Sequence, residues 1–433
     1  MNKYDVIIFG AGLSGLVAAY TLSSYGIKCC ILEKSDHIGG GNASFKNDLG
    51  DIFDTGYHAL DESRSKITSS LFKKVMPEYI QHTLRRGIAL DGSVFKYNAD
   101  IEDWPVNLKN KLSLKDFDNV GDVITSDNLA NVYGVDYSEY CKNTILYSYP
   151  SEVRSLKEGG SKSRMFDMVY PWFFPKLEKT SDGNSESTKF HNKMRNQEQT
   201  VIYPKHSGFF GFIEGLYESI DKQYCDIFLG CKDINIKLND AYQCESVEAL
   251  GVSYTSSHYF WCAPFIGLAS LYGMDLPKGV PQKLALGSFR FNYELPDSFH
   301  EILVGDPNHK INRISFPGLL RNERNNLLQV EFIFPADEFD YDVDTWRKSW
   351  VSSLIELGII ENGEYVDFNF KVEFKGMITS DPLDRITKKY EDEFNDLKGN
   401  IYIPFVNAGP ENINRLVPSV IDKTISFILS KGI

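Results

Sequence analysis

The sequence predicts an α/β chain in which a parallel-sheet domain is joined to an α+β domain made of an antiparallel sheet and a helical cap. Three observations predict it. The first forty residues run through a buried apolar stretch, a glycine turn, a helical pattern and a second apolar stretch. Three strand-like segments follow one another late in the chain, at Leu284–Tyr293, Lys310–Pro317 and Leu327–Phe334. From about residue 112 to 170 apolar residues recur at helical spacing, around Tyr137, Tyr140, Cys141, Ile145 and Leu146.

The amino-terminal pattern is the most informative. Asp5-Val6-Ile7-Ile8-Phe9 reads as a buried strand, apolar after Asp5. Gly10-Ala11-Gly12-Leu13-Ser14-Gly15 fits G-x-G-x-x-G, and Leu13, Leu16, Val17 and Tyr20 share one face of a helix that Gly26 ends. Lys28–Leu32 is a second strand, and Glu33 closes it eighteen positions past Gly15. Strand, glycine turn, helix, strand and acid at this spacing form a Rossmann-like dinucleotide fingerprint. Gly10 permits the turn, Gly12 lets a pyrophosphate approach the backbone, and Gly15 lets the helix pack close to the strand. The first helical N–H groups, from Leu13 and Ser14 onward, point at the phosphates. Glu33 can accept hydrogen bonds from both ribose hydroxyls, and its charge repels a 2′-phosphate.

The bulk numbers set limits. A chain of 433 residues holds two to three domain-sized units. Hydrophobic content of 42% and charged content of 24% are ordinary for a soluble globular protein. With 24 Tyr and 29 Phe there are rings enough to line a cavity for a flat ligand, although most such rings pack cores. A net charge of −13 argues against a nucleic-acid partner but not against a small anionic substrate held by local arginines. The seven cysteines (Cys29, Cys30, Cys141, Cys225, Cys231, Cys244 and Cys262) are odd in number and form no C-x-x-C. Neither a disulfide framework nor a metal site is expected, and a reducing, cytoplasmic location is the natural reading. No stretch has ~18 uninterrupted apolar residues, so no transmembrane helix is expected.

The remaining elements follow in order. Ser63–Val75 reads as a helix capped by Ser63, and Arg85–Tyr97 as a hairpin turning at Asp91-Gly92. Tyr170–Pro175 is an aromatic-proline stretch that lines a substrate cavity or anchors a domain junction. Thr180–Thr200 is polar and aperiodic, a surface or lid-like loop. Tyr259–Ala263 is a buried strand stopped by Pro264, Asp344–Leu357 a helix, and Val366–Met377 contains a strand. Gly399–Gly409 reads as a last strand and glycine turn, and Leu416–Leu429 as the closing helix. Arg290 and Arg313 sit in otherwise apolar strands, where an arginine is usually salt-bridged.

Directly after Glu33, Lys34-Ser35-Asp36-His37-Ile38-Gly39-Gly40-Gly41-Asn42 adds a second glycine cluster. This resembles the FAD-binding signature of the flavoprotein superfamily of amine oxidases, protoporphyrinogen oxidase, phytoene desaturases and UDP-galactopyranose mutases. Phe53-Asp54-Thr55-Gly56-Tyr57-His58 is similar to the F-D-x-G-x-H stretch of its mutase-like and protoporphyrinogen-oxidase-like branches. The resemblance implies FAD in a discontinuous, glutathione-reductase-type domain over residues 1–90, 200–265 and 375–433, with a substrate and cap domain over 91–199 and 266–374. It implies that Lys34, Gly40, Gly41 and Asn42 run beside the pyrophosphate, that His58 lies against the flavin ring, and that the backbone near Ile234 meets the adenine end. Asn407 belongs to the closing glycine turn, and Leu416 and Val417 would offer backbone N–H groups to the pyrimidine edge of the flavin. Arg313 lies where the mutases carry an arginine for the substrate diphosphate, which makes His58 and Arg313 the catalytic candidates. The chain departs from the mutases at the extra glycine of Gly39-Gly40-Gly41, at Asp381-Pro382 where they carry a tyrosine before proline, and at Ala408 where they carry an arginine.

These readings predict an FAD-dependent oxidoreductase acting on a small molecule, with an external electron donor or acceptor because only one nucleotide fingerprint occurs. Two alternatives stand beside it. One is a non-redox nucleotide-sugar mutase in which reduced flavin attacks the anomeric carbon. The other is a non-enzymatic binding protein of the kind that escorts small GTPases.

Overall fold

A computed structural model describes residues 2–97, 99–113, 134–143, 199–274, 279–306, 308–336, 342–379, 399–404 and 412–431. Most of the expected helical cap, the Tyr170–Pro175 stretch, nearly all of the polar run after Thr180, and Asp381, Asn407 and Ala408 lie outside the described residues.

The chain opens with strand β1 (Asn2–Lys3), strand β2 (Val6–Phe9), helix α1 (Leu13–Ser24) and strand β3 (Cys29–Leu32). All four residues of β2 and of β3 are buried, as expected for a parallel sheet covered on both faces. Helix α1 buries Leu13, Gly15, Leu16, Val17, Ala18, Ala19 and Leu22, so it is enclosed on most sides rather than amphipathic. A 3₁₀ turn at Gly40–Asn42 leads into the hairpin β4 (Ser44–Lys46) and β5 (Ile52–Asp54), then β6 (Leu60–Asp61), α2 (Lys66–Val75) and β7 (Tyr79–Thr83). Ser65, not the expected Ser63, caps α2 by accepting from the Thr68 N–H. Ser63 is engaged instead with Asp61, whose carboxylate accepts from its N–H and its hydroxyl.

The hairpin β8 (Arg86–Leu90) and β9 (Ser93–Lys96) turns at Asp91-Gly92, both with positive φ (52° and 70°), the I′ geometry that such a dipeptide favours. Helices α3 (Val106–Lys109) and α4 (Val135–Asn143) are followed by β10 (Thr200–Pro204), α5 (Phe210–Glu218), β11 (Cys225–Phe228), β12 (Asn235–Leu238), β13 (Cys244–Ala249), β14 (Val252–Thr255) and β15 (His258–Trp261). Then come α6 (Phe265–Leu271), β16 (Gly279–Arg290), β17 (Glu301–Val304), β18 (Arg313–Ser315), α7 (Pro317–Leu320), β19 (Leu327–Pro335), α8 (Val343–Glu356) and β20 (Asp367–Thr379). Strand β21 (Ile401–Tyr402) and helix α9 (Asn412–Lys431) close the chain. The strand expected over Lys310–Pro317 is shorter: it starts at Arg313, and it stops at Ser315, ahead of Pro317 at the opening of α7.

Two sheets dominate. A parallel sheet of order β11-β3-β2-β15-β21 gathers strands from both ends and the middle of the chain. One of its faces is packed by α1, α5 and α9 through Leu16, Val17, Phe212, Ile213, Val417 and Val420. A seven-stranded sheet of order β20-β16-β19-β18-β17-β8-β9 is antiparallel except where β17 meets β8. Trp346 and Trp350 of α8 pack on it, and Gly287 leaves room for the Trp350 ring, whose edge would lie 2.4 Å from a Cβ there. Arg86–Leu90 belongs to this second sheet, paired with β17 and β9.

Candidate functional site

The two glycine clusters meet at the start of α1. Gly12 is the N-cap and brings no side-chain cap, and the first turn holds no acid. The Leu16 N–H is the first to reach a carbonyl of its own helix, at Gly12 (3.0 Å), so the N–H groups of Leu13, Ser14 and Gly15 have no acceptor within the helix. The Gly39 N–H donates to the Ala11 carbonyl (2.9 Å), and Gly12 and Gly39 form an isolated parallel bridge. A Cβ on Gly12 or on Gly41 would meet no atom within 4 Å. A Cβ on Gly15 would lie 1.9 Å from the Gly10 carbonyl oxygen. Gly15 therefore serves close packing of helix on strand, while Gly12 and Gly41 present bare backbone outward beside the positive end of a helix dipole. Such a surface suits the negative charge of a diphosphate.

Glu33 closes one end of this surface. Its carboxylate accepts from the Ala11 N–H (2.6 Å) and the Ser35 N–H (2.7 Å). It holds the first glycine turn against the end of β3, with lone pairs left over for hydroxyl donors. Its main chain pins a second turn, because the Cys231 N–H donates to the Glu33 carbonyl (2.8 Å) and the Gly230 N–H to that of Ser35 (2.6 Å). Half-buried Ile234 lies three residues past Cys231 and packs against the core that includes Leu32 and Cys231. Lys34 is exposed beside Glu33.

The other end leads toward His58. The Thr55 N–H and hydroxyl both donate to the Ala43 carbonyl (2.9 and 2.8 Å), tying Thr55–His58 to the exit of the second glycine cluster. Gly56 has φ +111°, a conformation an L side chain rarely adopts. The His58 imidazole stacks on Phe209, with ring centroids 5.4 Å apart.

Arg313 approaches this segment from the seven-stranded sheet. Its guanidinium lies 5.2 Å from the Tyr57 ring centre, 3.4 Å from a Glu301 oxygen and 3.8 Å from a Glu331 oxygen. Glu331 faces it in register across β18 and β19 and accepts from the Tyr57 N–H (2.6 Å). Glu301, wholly buried, also pairs with Arg86. Two buried carboxylates thus face two guanidinium groups, which offsets the cost of burying either charge type alone. Burial, then the neighbouring Glu301 charge, pushes the Tyr57 phenol well up, so it stays protonated. Sequence reasoning singled out Arg313 but missed Arg86, Glu301, Glu331 and Tyr57. They come from three strands and a loop, and no local pattern marks their meeting.

The carboxy-terminal expectation needs correction. Helix α9 begins at Asn412, four residues before the expected Leu416. The N–H groups that find no carbonyl within their own helix are those at its start, here of Asn412, Ile413 and Asn414. Leu416 and Val417 stand in the second turn, where their N–H groups serve the helix itself, and Val417 is buried in the core.

A family model described as an NAD(P)-binding Rossmann-like domain matches residues 8–75. Amine oxidase [flavin-containing] A of Sus scrofa is 36% identical over 66 residues, 15% of this chain and 12% of that protein. UDP-galactopyranose mutase of Mycoplasma genitalium is 48% identical over 40 residues, 9% of this chain and 10% of that protein. The matched segment thus spans about a tenth of these relatives. In fold the likeness extends over the full length. A reduced UDP-galactopyranose mutase superposes with a TM-score of 0.72 at 13% identity, covering 100% of this chain and 94% of the other. A protein assigned as a protoporphyrinogen oxidase, from Exiguobacterium sp. 255-15, superposes with a TM-score of 0.71 at 12% identity, covering 99% of each chain. The chain is thus similar in its amino-terminal dinucleotide-binding sequence to a flavin-containing amine oxidase and a UDP-galactopyranose mutase, and it shares the fold of the mutase over its length.

Proposed function

We propose that the protein is an FAD-dependent oxidoreductase acting on a small-molecule substrate. The observation that carries the reading is the uncapped start of α1, where two touching glycine clusters present bare backbone, with Glu33 at one end and the Gly56–His58 segment at the other. FAD, when bound, supplies a two-electron acceptor. The chain's own residues do the rest. The N–H groups of Leu13, Ser14 and Gly15, with Gly40, Gly41 and Asn42 beside them, hold the diphosphate. Glu33 orients the ribose, Ile234 lies at the adenine end, and Tyr57 and His58 wall the opposite end. The nucleotide side comprises residues 1–85, 200–265 and the carboxy-terminal strand and helix, and the substrate side is built on the seven-stranded sheet. The electron partner is external.

A nucleotide-sugar mutase is the second reading, favoured by Arg313 beside Tyr57 and by the fold it shares with UDP-galactopyranose mutase. Against it, the Arg313 charge is already shared by Glu301 and Glu331. An arginine so engaged is a weaker clamp for a diphosphate than one facing solvent.

The test begins with the visible spectrum of the purified protein. A colourless protein that takes up no FAD refutes both readings and leaves the escort-type role. With flavin present, anaerobic addition of amines or other hydride donors should bleach it. If none bleaches it, while UDP-sugars bind the dithionite-reduced protein and not the oxidised one, the mutase reading replaces the first.

A further inference from the structure

Helix α5 has no cap of its own. Its N-cap residue, Phe209, makes no side-chain cap bond, and the residue before it is Gly208. Asp54, distant in sequence, supplies what is missing. Its carboxylate accepts from the Phe209 N–H (2.9 Å), from the Ser44 hydroxyl (2.5 Å) and from the Tyr203 phenol (2.5 Å). Ser44 in turn accepts from the Phe210 N–H (3.1 Å). The loop is shaped around this group. Gly208 has φ +62°, and a Cβ there would lie 2.7 Å from the Asp54 carboxylate and 2.8 Å from the Ser44 hydroxyl. From the seven-stranded sheet, Gln329 donates to the Asp54 carbonyl (2.9 Å). Asp54 is thus joined to the exit of the second glycine cluster, to β10, to the start of α5 and to β19.

The His58 ring lies against this arrangement. Phe209, whose N–H the carboxylate fixes, is the residue on which His58 stacks. We infer that Asp54 is a positioning residue for His58: it caps α5 from outside, this locks Phe209, and the Phe209 ring sets the plane of the His58 imidazole. The inference rests on the FAD reading only for its consequence. With the diphosphate over Gly12 and Gly41 and the adenosine at Glu33, the far half of the dinucleotide runs past Gly41 toward Thr55–His58. The imidazole then borders the redox-active end, and Asp54 tunes that end without touching it.

The experiment is NMR of ring-labelled histidine in the full-length protein, which has eight histidines. His58 is assigned with His58→Gln, and solvent-exposed His37 and His258, which packs against Tyr402 and Phe427, serve as internal standards. Asp54→Ala, which removes the acceptor, should shift the His58 resonances and leave the standards in place. Asp54→Asn should largely restore the wild-type position, because the amide oxygen can take over the bonds from Phe209 and Ser44. Ser44→Ala, which keeps the carboxylate and is the milder lesion should Asp54→Ala fail to fold, should move His58 part of the way. Unmoved His58 resonances in the folded alanine variants overturn the inference, and so does an Asp54→Asn variant no nearer to wild type than Asp54→Ala. In flavin-loaded protein the same variants should shift the visible flavin band in the same rank order. A protein that holds no flavin defeats the proposed function but leaves the histidine shifts to decide the Asp54 inference.

Discussion

Gly12 and Gly15 belong to one motif, yet their alanine variants should fail in opposite ways. At Gly15 the new methyl would sit 1.9 Å from the Gly10 carbonyl oxygen, a backbone atom that cannot swing aside, and real contacts of this kind do not fall below 3.0 Å. Helix α1 must therefore back off the sheet along a face that is packed throughout. Overpacking costs about 1–3 kcal/mol, with backbone neighbours toward the upper end, and alanine returns at most about 1 kcal/mol of helix propensity. A net loss of about 2 kcal/mol is expected for Gly15→Ala. At Gly12 the methyl meets nothing within 4 Å, and φ of −72° suits alanine. The gain of about 0.4–1 kcal/mol from a stiffer unfolded chain roughly cancels what alanine loses as an N-cap, so stability should change by less than about 0.5 kcal/mol. That same methyl occupies the proposed diphosphate surface, and FAD affinity should fall at least about tenfold, or 1.4 kcal/mol. Urea unfolding followed by circular dichroism measures the first quantity, and titration of stripped protein with FAD the second. A Gly15→Ala protein as stable as wild type would refute the packing argument, and undiminished FAD affinity in Gly12→Ala would refute the diphosphate site.

Three further predictions follow from the same geometry. Glu33→Gln sets an amide donor against one of the two N–H groups that the carboxylate now accepts, and should cost about 1–3 kcal/mol along with weaker FAD binding; an unchanged urea midpoint would contradict the bridging role. Arg313→Met leaves Glu331 without a guanidinium and Glu301 with Arg86 alone, and because Arg313 is partly exposed the loss should be about 1–2 kcal/mol, half or less of what breaking a fully buried pair costs; equal stability at neutral pH would show that Arg313 does not hold the cluster. His300 accepts from the Arg85 N–H and stacks on His82 with centroids 4.4 Å apart, and burial, then the charges of His82 and Arg85, lowers its pKa from 6.5 to about 3. The ring is neutral in the fold but takes up a proton in the unfolded chain, so the stability it contributes is complete above about 6.5 and drains away as pH falls toward 3. His300→Asn, which keeps an acceptor for Arg85, should flatten this acid limb by about 2 kcal/mol at pH 4.5, and parallel pH–stability curves for the two proteins would exclude His300 as its source.

What could be read along the chain divides by distance. The β2–α1–β3 unit was legible because its signals are local: an apolar run, glycines at set intervals, an acid at the end of the second strand. The strands at Leu284–Tyr293 and Leu327–Phe334 were legible by composition and alternation, and both lie in one sheet. Helix boundaries were less so. Ser63 and Ser65 are equally good caps on paper, and the choice turned on Asp61, which engages Ser63. At the carboxy terminus the first sustained apolar run begins only at Leu416. Asn412, Ile413, Asn414 and Arg415 are helical as well, which moves the unpaired N–H groups away from Leu416 and Val417.

By itself the sequence determined where a dinucleotide's phosphates can lie. That requirement is met by backbone atoms and short-range glycine spacing, which one strand and one helix satisfy. Only the tertiary structure decided the company kept by the charged groups. Whether Arg313 faces a ligand or two glutamates, and whether Asp54 serves its own strand or a helix more than 150 residues away, depends on which strands become neighbours. The physical reason is that a buried charge is tolerated only where a partner is folded against it, and no spacing along the chain records that partner.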